Sequence, residues 1–459
     1  MFTLNEIIKA ANGQLISRGK RSRFKNISID SRTAGTGSLF IPLKGKYFDG
    51  HKFIDMALNK GAFGTLTSRN IKPIKGVSVV FVKDTEKALQ QISKYHKERF
   101  DLLSIGVTGS SGKTTTKDML ASILSLADKT LKTEENFNNE IGVPLTLLKL
   151  KKEHRFCVIE MAMQGIGEIE ELAEIVRPNI SIITNIGDAH IGLLRSDKNI
   201  AMTKSEILYF QKKADTSVLP FDDKYCGFLT KKAKGKVLTF GLNEKAYVRA
   251  ANIRSRKGGI TFDILYKDKK MAVNLPVPGI FNVYNALAAA SAAFALRIKE
   301  HHIKNGLEKF RLSSKRMEIT QMNGIRIIND SYNANPSSMI SSLQMLKDQL
   351  PVEGNKPPRR IAVLGGMLEL GRFTRQSHIR TGNFVSGLGI DKLFTVGKLG
   401  KLIAVGAKQK KMNRVSSFMT NKEALNGIKG QIKRNDVILI KGSRGMKMEE
   451  IAEGLKKHA

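Results

Sequence analysis

Leu102-Leu-Ser-Ile-Gly-Val-Thr-Gly-Ser-Ser-Gly-Lys-Thr-Thr-Thr116 is an apolar run that ends in a Gly/Ser turn and opens a stretch with Met119, Leu120, Ile123 and Leu124 on one helical face. The pattern predicts a strand over residues 102–107, a tight turn and a helix, the setting that a phosphate-binding loop requires. Gly109 and Gly112 let backbone N–H groups turn toward a polyphosphate, and the helix start adds partial positive charge. Lys113 is placed to reach terminal phosphates and Thr114 to ligate Mg2+; Thr108, Ser110, Ser111 and Thr115 complete the loop. The strict G-x-x-x-x-G-K-[ST] spacing is missed by one position, because Val107 stands where its first glycine belongs.

Moving outward, apolar runs at 156–159 and 180–184, separated by a helical pattern over 168–176, predict a parallel sheet covered by helices. Each run delivers a polar group to its carboxyl end, where ligands collect in such sheets: Glu160 after the first, His190 after the second. A nucleotide loop needs a metal-binding acid nearby, and Glu160 is the first candidate. Residues 1–82 mix short strands (38–43, 77–82) with a helical pattern over 52–60, which predicts a small α/β unit. Beyond it, 83–313 forms the central parallel-sheet domain. In 314–459, strands at 325–328, 361–364, 392–396 and 437–440 alternate with helices, as in a doubly wound, Rossmann-like domain. The expected fold is therefore α/β in three domains.

The 459 residues carry 77 Lys plus Arg against 41 Asp plus Glu, a formal net charge of +36. Such an excess raises the possibility of a polyanionic partner. The basic clusters, Lys20–Arg23, Lys231–Lys236 and Lys408–Lys411, are scattered and poor in interleaved aromatics, which fits solvated faces better than a stacking platform for nucleic acid. Two cysteines support no framework of bridges and point to a reducing cytoplasm. No Cys/His spacing points to zinc. The N-terminal stretch reads as a folded helix with Phe2, Leu4, Ile7, Ile8 and Ala11 on one face, and lacks the basic start and cleavage site of an export signal. Residues 280–296, rich in Ala but interrupted by Asn282, Tyr284 and Asn285, read as a packed internal helix, so no transmembrane segment is expected.

Thr108–Lys117, Asn136-Phe-Asn-Asn-Glu-Ile-Gly-Val-Pro144, Glu160 and Thr184-Asn-Ile-Gly-Asp-Ala-His190 together resemble the Mur ligases of peptidoglycan synthesis. Both flanks agree. Asp30-Ser-Arg32, Phe40-Ile-Pro-Leu43 and Asp49-Gly-His51 resemble the uridine-nucleotide domain; Asn329-Asp-Ser-Tyr-Asn-Ala-Asn-Pro336, Leu364-Gly-Gly-Met-Leu-Glu-Leu-Gly371 and Lys441-Gly-Ser-Arg444 resemble the carboxy-terminal domain. The resemblance implies a small UDP-binding domain, a central P-loop ATPase-like domain and a mobile Rossmann-like third domain. It also implies ATP and Mg2+, with D-alanyl-D-alanine added to UDP-N-acetylmuramoyl-tripeptide through an acyl phosphate.

Residue by residue, the resemblance implies that Lys204, in Met202-Thr-Lys-Ser-Glu-Ile207, is carbamylated and holds a magnesium with His190 and Glu160; the carbamate is a hard oxygen donor suited to that ion. Asn282 and Asn285 match positions near the adenine, although Phe281 stands where many relatives have His. Arg316 matches the arginine directed at the γ-phosphate and Asp330 the carboxylate that meets the nucleotide from the third domain. Ser31 and Arg32 match the diphosphate contacts, Asn138 and Asn139 the substrate-facing residues, and Asn333, Asn335 and Ser443 positions for peptide recognition. Asn-Pro and Gly-Ser settings are equally those of turns. A monomer is expected. The alternatives are a Mur ligase that adds a single amino acid, a folylpolyglutamate synthetase with related loop and metal residues, and a basic P-loop ATPase that binds nucleic acid.

Overall fold

A computed structural model describes residues 1–312, 315–352, 354 and 356–457. The expected boundary at 313/314 lies outside the described residues. By packing, the chain divides into two compact units: Met1–Ser104 with Lys129–Met161 and Glu171–Arg177, and Ile105–Asp128 with Ala162–Glu170 and Pro178–Ala459.

In the first unit, the helix Leu4–Ala11 starts at a reciprocal cap. Thr3 Oγ1 accepts from the Glu6 N–H, and the Glu6 carboxylate accepts from the Thr3 N–H. A sheet runs in the order Gln14–Ser17, Ser78–Phe81, Gly64–Thr67, Ser38–Phe40, Asn26–Ser28, antiparallel at the first pair and parallel after it. The helix Thr85–Glu98 packs into this unit's core through Ala88, Leu89 and Ile92, together with Phe2, Phe24, Leu66 and Val80. Thr130–Lys132 and Phe156–Glu160 also pair here, in parallel.

In the second unit, strands run Leu103–Thr108, Ile180–Ile183, Thr216–Pro220, Lys236–Gly241 and Val248–Arg256 in parallel neighbouring pairs. Gly259–Tyr266 and Lys269–Leu275 then extend them as antiparallel hairpins. The helix Ile280–Ala295 starts after Gly279, at φ +95, and buries every residue from Asn285 to Ala293. Ala has no side chain to order and lets neighbours approach, so this helix packs tightly without being a membrane span. No helix among the described residues is long and apolar enough to cross a membrane.

The last sheet of this unit has the order Glu318–Met322, Ile325–Asp330, Asp436–Lys441, Arg359–Leu364, Lys392–Val396, Val415–Phe418, parallel except at its first pair. Apolar clusters cover both its faces. The last strand in sequence inserts between Ile325–Asp330 and Arg359–Leu364. The motif loops at 331–336, 365–371 and 442–444 therefore leave three adjacent strands at one carboxyl edge, the place where such sheets bind ligands.

Candidate active site

The phosphate loop is built before any ligand arrives. Gly109 (φ +148) and Gly112 (φ +78) hold conformations that favour glycine, and each backs onto a neighbour: an added Cβ would lie 1.8 Å from Thr184 Oγ1 at the first and 2.2 Å from Asn285 Oδ1 at the second. Thr184 Oγ1 donates to the Ser111 carbonyl (2.6 Å) and Asn185 Nδ2 to the same oxygen (3.1 Å). The Ser110 N–H donates to the Asn185 carbonyl and the Ser111 N–H to Asn185 Oδ1, both at 3.1 Å. Ser110 Oγ accepts from the Gly187 N–H at 2.8 Å. Two loop amides are thus spent on Asn185. The donors left for an anion are the first-turn N–H groups of the helix Lys113–Leu124, which an α-helix leaves without intrahelical acceptors. Lys113 Nζ folds back onto the Gly109 carbonyl at 2.8 Å.

Lys204, on the helix Asp197–Ser205, is 1% exposed and has no hydrogen-bond partner among the described residues. Burial pushes its pKa well below the ordinary lysine value, and the positive charge of Lys113 adds to that push. Glu206 opposes it, but the Glu206 carboxylate accepts from the N–H groups of Gly167 (2.9 Å) and Glu170 (3.1 Å). His190 sits at φ 62, a left-handed conformation uncommon for a non-glycine residue. Burial first, then Lys113 and Lys204, hold its pKa down to about 4. Its Nδ1 lies 3.2 Å from Glu369 Oε2 without hydrogen-bond geometry. At neutral pH the imidazole is uncharged, so this contact is no ion pair.

In the first unit, Glu160 is 2% exposed. Its Oε1 accepts from Asn138 Nδ2 at 2.8 Å and its N–H donates to Thr133 Oγ1, while Oε2 is buried with no partner. Asn139 Oδ1 accepts from the Gly142 N–H at the start of the helix Gly142–Leu147. Ser31 is buried with its hydroxyl on Met56 Sδ (3.3 Å). Arg32 is exposed and forks onto Asp30 at 2.8–3.2 Å, which holds the Asp30 carboxyl down to about 2. An exposed pair of this kind contributes little to stability and is readily exchanged for a diphosphate.

An unpaired buried carboxylate oxygen, an uncharged imidazole and a buried amine pushed toward its uncharged form are the donor types that a Mg2+ site with a carbamylated lysine needs. Among the described residues, no group of three or more His, Cys, Asp and Glu assembles into a metal site.

The third-domain residues are more occupied than their motifs imply. Asp330 pairs with Lys441 (2.5 Å) and accepts from Ser342 Oγ (2.8 Å). The Arg316 guanidinium stacks 3.8 Å from the Tyr332 ring centroid. Asn333 Oδ1 accepts from the Ala334 N–H. Asn335 caps the helix Pro336–Lys347 through the Ser338 N–H and reaches the Ser110 carbonyl with Nδ2 (3.4 Å). Ser443 Oγ donates to the Ala334 carbonyl and accepts from the Leu368 N–H. These groups knit the loops together. Asn282 and Asn285 are buried and bonded to each other, and Asn285 also accepts from Thr116 Oγ1 (3.4 Å), so it buttresses the phosphate loop. Sequence reasoning missed Asn185 and Thr184 as braces, although the Thr-Asn-Ile-Gly-Asp string pointed at them, and missed Glu369 at His190.

The sequence profile of the Mur ligase family catalytic domain matches residues 23–97, that of the Mur ligase middle domain 107–293, and that of the Mur ligase glutamate ligase domain 315–444. The UDP-N-acetylmuramoyl-tripeptide--D-alanyl-D-alanine ligase of Bacillus subtilis (strain 168) is 36% identical over 457 residues, 99% of this chain and 98% of its own. This chain belongs to the Mur ligase family. Among solved structures, a crystal structure of MurF from Acinetobacter baumannii is similar at 33% identity and TM-score 0.92, covering 99% of both chains. MurF ligase from Thermotoga maritima in complex with ADP is similar at 26% identity and TM-score 0.84, covering 94% of this chain and 97% of that one. This Mur ligase therefore has the three-domain α/β fold that its sequence predicts.

Proposed function

We propose that this Mur ligase joins D-alanyl-D-alanine to the terminal carboxylate of UDP-N-acetylmuramoyl-tripeptide, hydrolysing ATP to ADP and phosphate. The carrying observation is the end-to-end likeness to a ligase of that name, with the phosphate loop and its braces in place. A carboxylate repels an approaching amine electronically and has no good leaving group. Transfer of the ATP γ-phosphoryl group makes an acyl phosphate, the amine of D-alanyl-D-alanine attacks its carbonyl carbon, and the tetrahedral adduct expels phosphate.

The first-turn amides of the helix Lys113–Leu124 and the Lys113 ammonium take the terminal phosphates. Arg316, which stacks on Tyr332, is the arginine that would take the γ-phosphate on closure of the third domain. Asn282 and Asn285 set the loop under the nucleotide. Ser31 and Arg32 hold the UDP moiety, and Asn138 and Asn139 face the tripeptide. Asn333, Asn335 and Ser443 shape the dipeptide end, and Asp330 positions its loop through Lys441. Thr114, Glu160, His190 and a carbamylated Lys204 are the residues that would hold Mg2+. When bound, the ion offsets charge gathered during phosphoryl transfer. Carbon dioxide adds to an uncharged amine, the form that burial favours at Lys204. The division into 1–82, 83–313 and 314–459, a cytoplasmic location and a monomeric state belong to the same reading.

The test is phosphate release by the purified protein with a substrate panel. Turnover is expected only with UDP-N-acetylmuramoyl-tripeptide, ATP and D-alanyl-D-alanine together. Robust use of a free diamino acid on the dipeptide substrate, with none of the D-alanyl-D-alanine used, refutes the assignment.

A further inference from the structure

The loop Leu364–Gly371 carries a motif that the proposed chemistry leaves without a task. We propose that its Glu369 is a positioning residue: closed against the central domain, it orients the His190 imidazole and directs the other ring nitrogen to the metal. This rests on the reading of His190 as a metal ligand.

The loop is held from its own domain. The Met367 N–H donates to His378 Nε2 (2.9 Å) and the Leu368 N–H to Ser443 Oγ (2.9 Å). The next residue, Glu369, adopts φ 64 and extends its carboxylate to 3.2 Å from His190 Nδ1. Left-handed backbone at a non-glycine residue costs energy that surrounding contacts must offset, and here it occurs on both sides of one contact, at Glu369 and at His190. The backbones meet as well. A Cβ at Gly192 would lie 2.5 Å from both the Glu369 carbonyl oxygen and the Gly371 nitrogen. Gly371, at φ 52, would bring a Cβ to 3.0 Å from Gly192 Cα. Arg372 Nη2 donates to the Arg195 carbonyl (3.4 Å) and the Asp188 N–H to Ser337 Oγ (3.4 Å) on either side.

A neutral imidazole has one N–H. A carboxylate beside Nδ1 draws the proton there and leaves the Nε2 lone pair for a cation, the arrangement that ligating histidines commonly take with an outer carboxylate. His190 Nε2 has no partner among the described residues. The contact ties the 365–371 loop to the ring that faces the metal, both within the second compact unit.

Mn2+ binding is measured by electron paramagnetic resonance with the non-hydrolysable nucleotide AMP-PNP bound, and nucleotide binding is measured separately in chelator. Glu369→Ala is expected to weaken Mn2+ about 10- to 100-fold. Glu369→Gln, which keeps an oxygen acceptor beside Nδ1, weakens it less. Gly192→Ala, which blocks the backbone approach, weakens it as Glu369→Ala does. Metal-free nucleotide affinity stays at the wild-type value in all three variants, and melting temperature does so in the two Glu369 variants. Mn2+ affinity within about twofold of wild type in Glu369→Ala or Gly192→Ala overturns the proposal, as does equal loss of metal-free nucleotide binding. If His190→Asn also leaves Mn2+ affinity intact, the metal-ligand reading of His190 fails; if only His190→Asn weakens it, the failure is confined to Glu369.

Discussion

His96 in the first unit and His190 in the second have the same pKa, about 4, and burial is the leading cause in both. Their surroundings differ. His96 lies inside the helix Thr85–Glu98, with its ring 4.8 Å from that of Phe2 and edge-on to Phe100 at 4.9 Å, and its Nε2 at 3.2 Å from the Leu150 carbonyl. Its ring is enclosed by apolar neighbours and its hydrogen bond ties two segments of one core. His190 lies on a strained loop, with Lys113 and Lys204 both adding to its shift and with Nε2 unspent. A depressed pKa therefore does not identify a functional histidine here. Each ring keeps a buried Nδ1 without a partner and feels nearby charges, so what separates the two is place: His96 packs inside a helix of its core, and His190 lies on a loop near Lys113 of the phosphate loop and Lys204.

Four measurements can break or sharpen that contrast. Lys113→Ala, which removes the cation between the phosphate loop and the His190 region, is expected to reduce ATP-dependent phosphate release about a thousandfold or more, with folding retained. Unchanged turnover would remove the loop from the mechanism. Lys204→Ala should lose a hundredfold or more, on the order of a missing charge-stabilising group. Added short-chain carboxylates should restore part of the rate by occupying the vacated ligand space, and full activity without them speaks against the carbamate. His190→Asn keeps a residue type that tolerates the left-handed backbone, so its melting temperature should hold while turnover falls by about a hundredfold. A drop in stability with normal specific activity would make His190 a structural residue like His96.

His96→Leu should do the reverse. Leaving the Leu150 carbonyl without its donor costs about 1–3 kcal/mol in urea unfolding, with kcat and KM unchanged. The acid dependence fixes the cause. The unfolded chain binds a proton at this histidine below about pH 6.5, while the folded chain resists until about 4. The contribution is complete above pH 6.5 and is lost as the pH falls toward 4, a change on the order of 3 kcal/mol. The gap between wild type and His96→Leu should narrow over that window; a constant gap would place the cost in packing alone.

Much of this fold is legible in local spacing. The strand expected at 102–107 is Leu103–Thr108, the helix at 280–296 is Ile280–Ala295, and the four strands of the last domain appear within about two residues of their apolar runs. The hairpins from Val248 to Leu275 are not legible in that spacing. Lys269–Leu275 alternates outward and inward side chains, but the alternation is short and the turns at 257–258 and 267–268 are the only other signals. The antiparallel edge strand Glu318–Met322 escaped for the same reason.

The sequence by itself determined the α/β plan, the phosphate loop and the residue types gathered at each strand end, because these depend on neighbours within a turn or a strand. The tertiary structure decided what each group is free to do. Asn185 consumes two loop amides from 74 or so residues away, Asn285 fills the space behind Gly112, Lys441 claims Asp330, and Glu369 reaches His190 from far along the chain. Such pairings join positions about 70 to 180 residues apart, and only packing, through burial and hydrogen-bond geometry, brings them within bonding distance.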